Sequence, residues 1–218
     1  MKPRFSNQRN HALTITEVLV IFAVVFFLAI FFLPAFVAQH NRPLRIECVS
    51  NLKQIGLAYR IWADDNGGKF PMEISVTNGG TMGLGEGRNT WINFLVMSNE
   101  LSTPKILLCP ADDDHIYATN FASGFSGANV SYFVGLDADT NSPQVFLSGD
   151  DNFEIGGISV KSGLLQLSTN APIFWTTTRR KNGGNIGLAD GSVQEITTNG
   201  LRQALQQTGL ATNRLAIP

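Results

Sequence analysis

Residues 18–38 read VLVIFAVVFFLAIFFLPAFVA, a run of 21 residues without a charge, and the reading of this run decides the fold. At helical rise it would extend ~31 Å, about the thickness of one bilayer core. The sequence therefore predicts a membrane helix over 18–38. Lys2, Arg4 and Arg9 precede it. Basic retention of so short a flank predicts a single-pass protein with the remainder on the far side, although Arg42 and Arg45 weaken the contrast. An ordinary signal peptide also begins basic and continues apolar, but its apolar region is ~7–15 residues long and ends in small residues. Here the run is longer and ends in Pro34-Ala35-Phe36-Val37-Ala38; its alanines leave the signal-peptide alternative open.

The preceding stretch, His11-Ala12-Leu13-Thr14-Ile15-Thr16-Glu17, puts one carboxylate at the mouth of the apolar segment. This order of basic leader, small residue, glutamate and apolar run resembles the type IV prepilin and pseudopilin signal. The resemblance implies that a prepilin peptidase cuts after Ala12, that Leu13 becomes the N-methylated first residue, and that Glu17 stands fifth in the mature chain. The chain departs from the pattern at Ala12, where Gly is usual, at Leu13, where Phe is usual, and at Thr16, where an apolar residue is common. An ionised carboxylate near a bilayer is costly unless paired. Cleavage would create the partner, an amine at Leu13 of the same or a neighbouring subunit. Pro34 removes a helix hydrogen bond and predicts a kink, at a point where pilins commonly carry a proline.

Beyond an expected break at Asn41-Arg42-Pro43, apolar residues recur at Leu44, Cys48, Leu52, Ile55, Tyr59 and Trp62. Steps of three and four define a helix with one buried stripe, stopped by Asp64-Asp65-Asn66-Gly67-Gly68. The wording from Cys48 through Ala58, followed by Asp65-Asn66-Gly67 and Phe70-Pro71, resembles pseudopilin-like proteins with an H-x9-DG region. The second half carries short apolar runs at 130–136, 145–147, 163–167 and 173–176, bounded by turn residues, which predict strands. A brief helix is expected over 91–97 and a last one over 201–207. Between them, Asn185 to Ile196 joins two runs through Asp190-Gly191, a pair suited to a two-residue type I′ hairpin turn.

That hairpin resembles the H-x9-DG motif, with Asp190 and Gly191 in place and Arg180 where the motif has His, so no imidazole function carries over. Segments 131–137 and 148–152 are also similar to these proteins. The resemblance implies an α+β, pilin-like fold: a leader over 1–12, an N-terminal helix over 13–63 with membrane part 18–38 and amphipathic part 44–63, packed on a small antiparallel sheet in an extracytoplasmic head over 64–218. It implies a structural subunit in the inner membrane, not an enzyme, with prepilin peptidase and other pseudopilin subunits as partners and a type II secretion or pilus-like filament as the product. The alternative is an anchored extracytoplasmic binding module that does not assemble. Cys48, on the apolar stripe, and Cys109, ending the run Ile106-Leu107-Leu108 in a Cys-Pro-x-Asp segment like one in these proteins, are candidates for a disulfide or for two separately buried thiols.

Composition excludes several chemistries. With 16 basic and 17 acidic residues and net charge -1, the chain has no field to gather nucleic acid. Two cysteines exclude a disulfide-dense scaffold. His11, His40 and His115 are scattered, without zinc spacing. Gly124-Phe125-Ser126-Gly127 does not place its glycine as a nucleophile elbow requires. No cofactor is expected. Calcium is the one ion with a partial ligand pattern, Asp137-Ala-Asp139-Thr-Asn141, but Ser142 and Ser148 replace the loop glycine and the bidentate glutamate, so a solvated loop is preferred. Asp112, Asp113 and Asp114 read the same way, as turn and capping residues.

Overall fold

Helical conformation extends from Ile15 to Asp65 in one element, α1 (Ile15–Asp65). The structure, a computed structural model, describes residues 14–122, 124–179 and 183–218, with the backbone alone over 31–43. By internal contacts the chain separates into two units, Met1–Pro43 and Leu44–Pro218. In the first, the described side chains of 15–30 are apolar except Thr16 and Glu17. Nearly all are exposed, with Phe22 and Phe26 each at 70%.

Three expectations are corrected here. Among the described residues no helix is long and apolar enough to cross a membrane, which overturns the membrane helix over 18–38 and, with it, the single-pass inner-membrane location and the extracytoplasmic placing of the head. The described uncharged side chains run from Val18 to Ile30 and cover ~20 Å at helical rise, against a hydrocarbon core of ~30 Å. The pilin-like architecture is corrected as well, because the compact unit that contains the sheet takes in the helix only from Leu44 onward. Nor is that sheet small.

In the second unit, Cys48, Leu52, Ile55, Tyr59 and Trp62 are buried along one face of α1. The helix stops where the Gly68 N–H returns to the Ala63 carbonyl at 2.8 Å, a closure that needs the left-handed conformation Gly67 adopts at φ 68°. Two short helices follow, α2 (Trp91–Leu95) and α3 (Ser98–Leu101). The main sheet comprises β1 (Tyr132–Gly135), β2 (Phe146–Asp150), β5 (Gly163–Ser168), β7 (Gly183–Leu188), β8 (Val193–Thr197) and β9 (Thr212–Ile217). These are antiparallel in the order β5-β9-β1-β2-β7-β8. A second sheet holds β3 (Phe153–Ile155), β4 (Ile158–Ser159) and β6 (Ile173–Trp175) in the order β4-β3-β6. Helix α4 (Thr198–Gln207) starts at Thr197, whose hydroxyl oxygen accepts the Gly200 N–H.

Strand alternation divides the interior in two. Tyr132 and Val134 of β1, Leu147 of β2 and Ala216 of β9 pack with α1 and α2. Phe133, Phe146, Leu215 and Ile217, from the opposite face, pack with the second sheet and with Leu201 and Leu205 of α4. Both faces of the central strands are thereby covered, and β2 is buried at every position. Phe153 stacks on Trp175 at 4.7 Å in the second core, whereas in the first Tyr59 meets Phe70 edge-on at 5.7 Å.

The Asp190-Gly191 hairpin differs from the expected two-residue turn. The Gly191 N–H donates to the Leu188 carbonyl and the Leu188 N–H to the Ser192 carbonyl, each at 2.9 Å. The loop is therefore three residues, with Gly191 left-handed at φ 84°, the geometry of a tight turn followed by a bulge. Asp190 Oδ1 accepts the Ser192 N–H at 2.8 Å.

Candidate functional site

The start of α1 is a reciprocal cap. The Thr14 N–H and hydroxyl donate to Glu17 Oε2 at 2.8 and 2.9 Å, and the Glu17 N–H approaches the Thr14 hydroxyl oxygen at 3.3 Å. This satisfies donors that a helix start leaves open. The Thr14 backbone bond, followed by the hydroxyl, holds the Glu17 carboxyl below its ordinary pKa. Glu17 is thus an ionised group at the head of an exposed apolar helix. Ala12 and Leu13 lie outside the described residues, as does the Pro34 side chain.

Cys48 and Cys109 are joined by a disulfide with Cα atoms 5.0 Å apart, fixing α1 to the segment that follows α3. Nearby, the Asn51 side-chain amide donates to the Leu108 carbonyl at 3.1 Å. Asp190 and Gly191 lie at the hairpin tip against α1, where the Arg60 Nη1 donates to the Asp190 carbonyl at 2.7 Å. Arg180 lies outside the described residues.

Sequence reasoning did not find the densest polar cluster of the second unit. Arg179 is a buried cation between two buried carboxylates. Its Nη2 lies 2.5 Å from Asp112 Oδ2, its Nη1 bonds Asp151 Oδ1, and Nη1 also donates to the Ser131 carbonyl at 3.2 Å. His115 Nδ1 is 2.8 Å from the same Asp112 oxygen. Burial alone would raise the Asp112 pKa, but the His115 hydrogen bond and the Arg179 charge outweigh it and hold the carboxyl at about 2. At Asp151 burial prevails over the pull of Arg179 and His115, and the pKa rises to about 6. His115 is shifted upward: its burial acts in the other direction, but the bond to and charge of Asp112 prevail.

Asp112 had looked like a solvated turn residue, yet its side chain is wholly buried. What hid the cluster is distance in sequence, since Arg179 joins Asp112 to the Ser131 carbonyl and to Asp151. A pocket of about 220 Å³ opens beside the cluster, lined by His115, Asp151, Asn152, Thr176, Thr178 and Arg179 among others. The suspected calcium loop is occupied internally. Asp137 pairs with Arg214 at 2.7 Å, and Asp139 accepts the Asn141 N–H at 2.6 Å and the Ser142 hydroxyl at 2.9 Å. Among the described residues no group of three or more His, Cys, Asp or Glu side chains is placed to hold a metal.

Comparison with known proteins identifies no relative: no family model, curated protein or solved structure matches this chain significantly.

Proposed function

We propose that the protein is a structural subunit of the pseudopilin type, cut by a prepilin peptidase between Ala12 and Leu13 and assembled with other such subunits through α1. The observation that carries this reading is the first unit: residues 15–30 present apolar side chains almost without cover, and Glu17 is the one charge among them. Apolar surface of this extent needs a partner. Neighbouring copies of the same helix supply one, and the amine freed at Leu13 is the counter-charge a packed carboxylate requires. The test is cross-linking in the native cells. A Phe22→Cys variant oxidised in place forms disulfide-linked dimers if the helices pack side by side; monomers alone, with Phe22→Cys made at normal levels, contradict the proposal.

A further inference from the structure

Arg202 of α4 is a cation without an anion. Its guanidinium carbon lies 4.5 Å from the centre of the Phe174 ring of β6, a cation–π contact that fixes the plane of the group. Among the described residues neither Nη bonds an acceptor or pairs with a carboxylate, and the Nε is buried without a hydrogen-bond partner. Residues outside those described cannot supply the counter-ion, because all 17 acidic residues of the chain fall among the described ones. Glu154 stands opposite Phe174 in the register of β3 and β6, yet it makes no ion pair with Arg202. A half-buried guanidinium, with its five donors, is therefore held in place and left unmatched.

A pocket of about 330 Å³ opens at this group, between the turn over 169–172 and α4. Its polar lining is Thr169, Asn170, Arg202 and Gln206, and no acidic residue is among them. The side chains of Thr169, Asn170 and Gln206 bond no other protein group among the described residues. One hydroxyl and two amides are thus free to donate beside the arginine. A cation is repelled by Arg202, and a phosphate dianion would lack a second positive charge in the lining. A guanidinium stacked by its face keeps its edge open, and two parallel N–H donors on that edge match the two oxygens of a carboxylate.

We propose that this pocket binds a carboxylate group of a partner protein, presented by an acidic side chain or by a chain end, with Arg202 as its counter-ion and Thr169, Asn170 and Gln206 as neutral donors. The contact with Phe174 holds the fork before the ligand arrives, so little rotamer freedom is lost on binding. The site lies wholly in the second unit and does not rest on assembly through α1.

Chemical-shift titration of the full-length chain at constant ionic strength, read at the side-chain amides of Asn170 and Gln206, tests this with four probes: the α-amide of Nα-acetyl-glutamic acid, N-acetylalanine, Nα-acetyl-glutaminamide and inorganic phosphate. Saturable shifts with the first two, weakened about tenfold or more in Arg202→Gln and about threefold in Thr169→Val, are the expected result. Arg202→Lys, which keeps the charge but not the fork, is weakened as well. The neutral glutaminamide gives no saturable shift. Tighter binding of the glutamic acid derivative assigns an acidic side chain, and tighter binding of N-acetylalanine assigns a chain end. Thr169→Val keeps the test decisive if Arg202→Gln does not fold. No saturable shift with either carboxylate, an equal response to the glutaminamide, tighter binding of phosphate than of both carboxylates, or wild-type affinity in a folded variant overturns the proposal.

Discussion

The Arg60 guanidinium donates to the Asp190 main-chain carbonyl at 2.7 Å, and one turn earlier in α1 a Cβ on Gly56 would stand 3.5 Å from Gly191 Cα. Helix and hairpin tip therefore meet backbone to backbone, which gives the Asp-Gly pair a structural role. Gly191→Ala forces an L-residue into φ 84° and lowers stability by about 1–2 kcal/mol. Arg60→Ala, losing one exposed hydrogen bond, costs less than about 1 kcal/mol. Denaturant midpoints of the two variants check the order; equal stability of wild type and Gly191→Ala would refute it.

The Cys48–Cys109 bridge closes a separation of 61 residues, for which chain-entropy arguments give about 4 kcal/mol. Both cysteines are fully buried, so the Cys48→Ala, Cys109→Ala double variant also leaves space in the first core. Thermal unfolding of this variant is expected well below that of the oxidised protein. Two alkylatable thiols in protein taken from its native cells would show that the bridge does not form there.

The Arg179 cluster sets a pH dependence of known sign. Asp151 and His115 both have folded pKa values above their ordinary ones. Each contributes stability that is present at low pH and lost as pH rises through the folded value. Unfolding free energy should therefore decline between about pH 5 and pH 8, on the order of 2 kcal/mol from Asp151, and the decline should be shallower in Asp151→Asn. Asp112 acts oppositely: its contribution is present above the ordinary carboxyl pKa and lost as pH falls toward about 2. Stability that climbs steadily from pH 5 to pH 8 contradicts this account of the cluster.

What the sequence reveals depends on whether the deciding partners are local. The stripe from Cys48 to Trp62 is legible because steps of three and four residues fix a helix face, and these residues are buried. β9 (Thr212–Ile217) was not among the expected strands, and only pairing with β5 and β1 makes it an interior strand of the sheet. The second sheet was missed for a similar reason, since β3 and β4 are three and two residues long and depend on β6. The hairpin was found but its turn misassigned, because Asp-Gly is compatible with both loop lengths and the Leu188–Ser192 pairing decides. The Arg179 cluster is joined across long sequence separations and gave no local signal beyond the Asp112–His115 pair. The membrane span rested on 21 uncharged residues, of which the side chains beyond Ile30 lie outside those described.

Capping and charge at Glu17 can be separated. Glu17→Gln keeps a side-chain acceptor for the Thr14 N–H but removes the charge, whereas Glu17→Ala removes both. If the carboxylate pairs with the amine of Leu13, both variants lose the cross-linked dimer formed through Phe22→Cys. Loss in Glu17→Ala alone, with Glu17→Gln like wild type, assigns Glu17 a capping role only.

The most direct measurement of the central claim is the mass of the N-terminal peptide of the protein recovered from its native cells. Processing by a prepilin peptidase predicts a mature chain that begins at Leu13, carries one added methyl group on its amine, and has Glu17 as its fifth residue. A chain that retains Met1, or one that begins after Ala35 or Ala38, contradicts it.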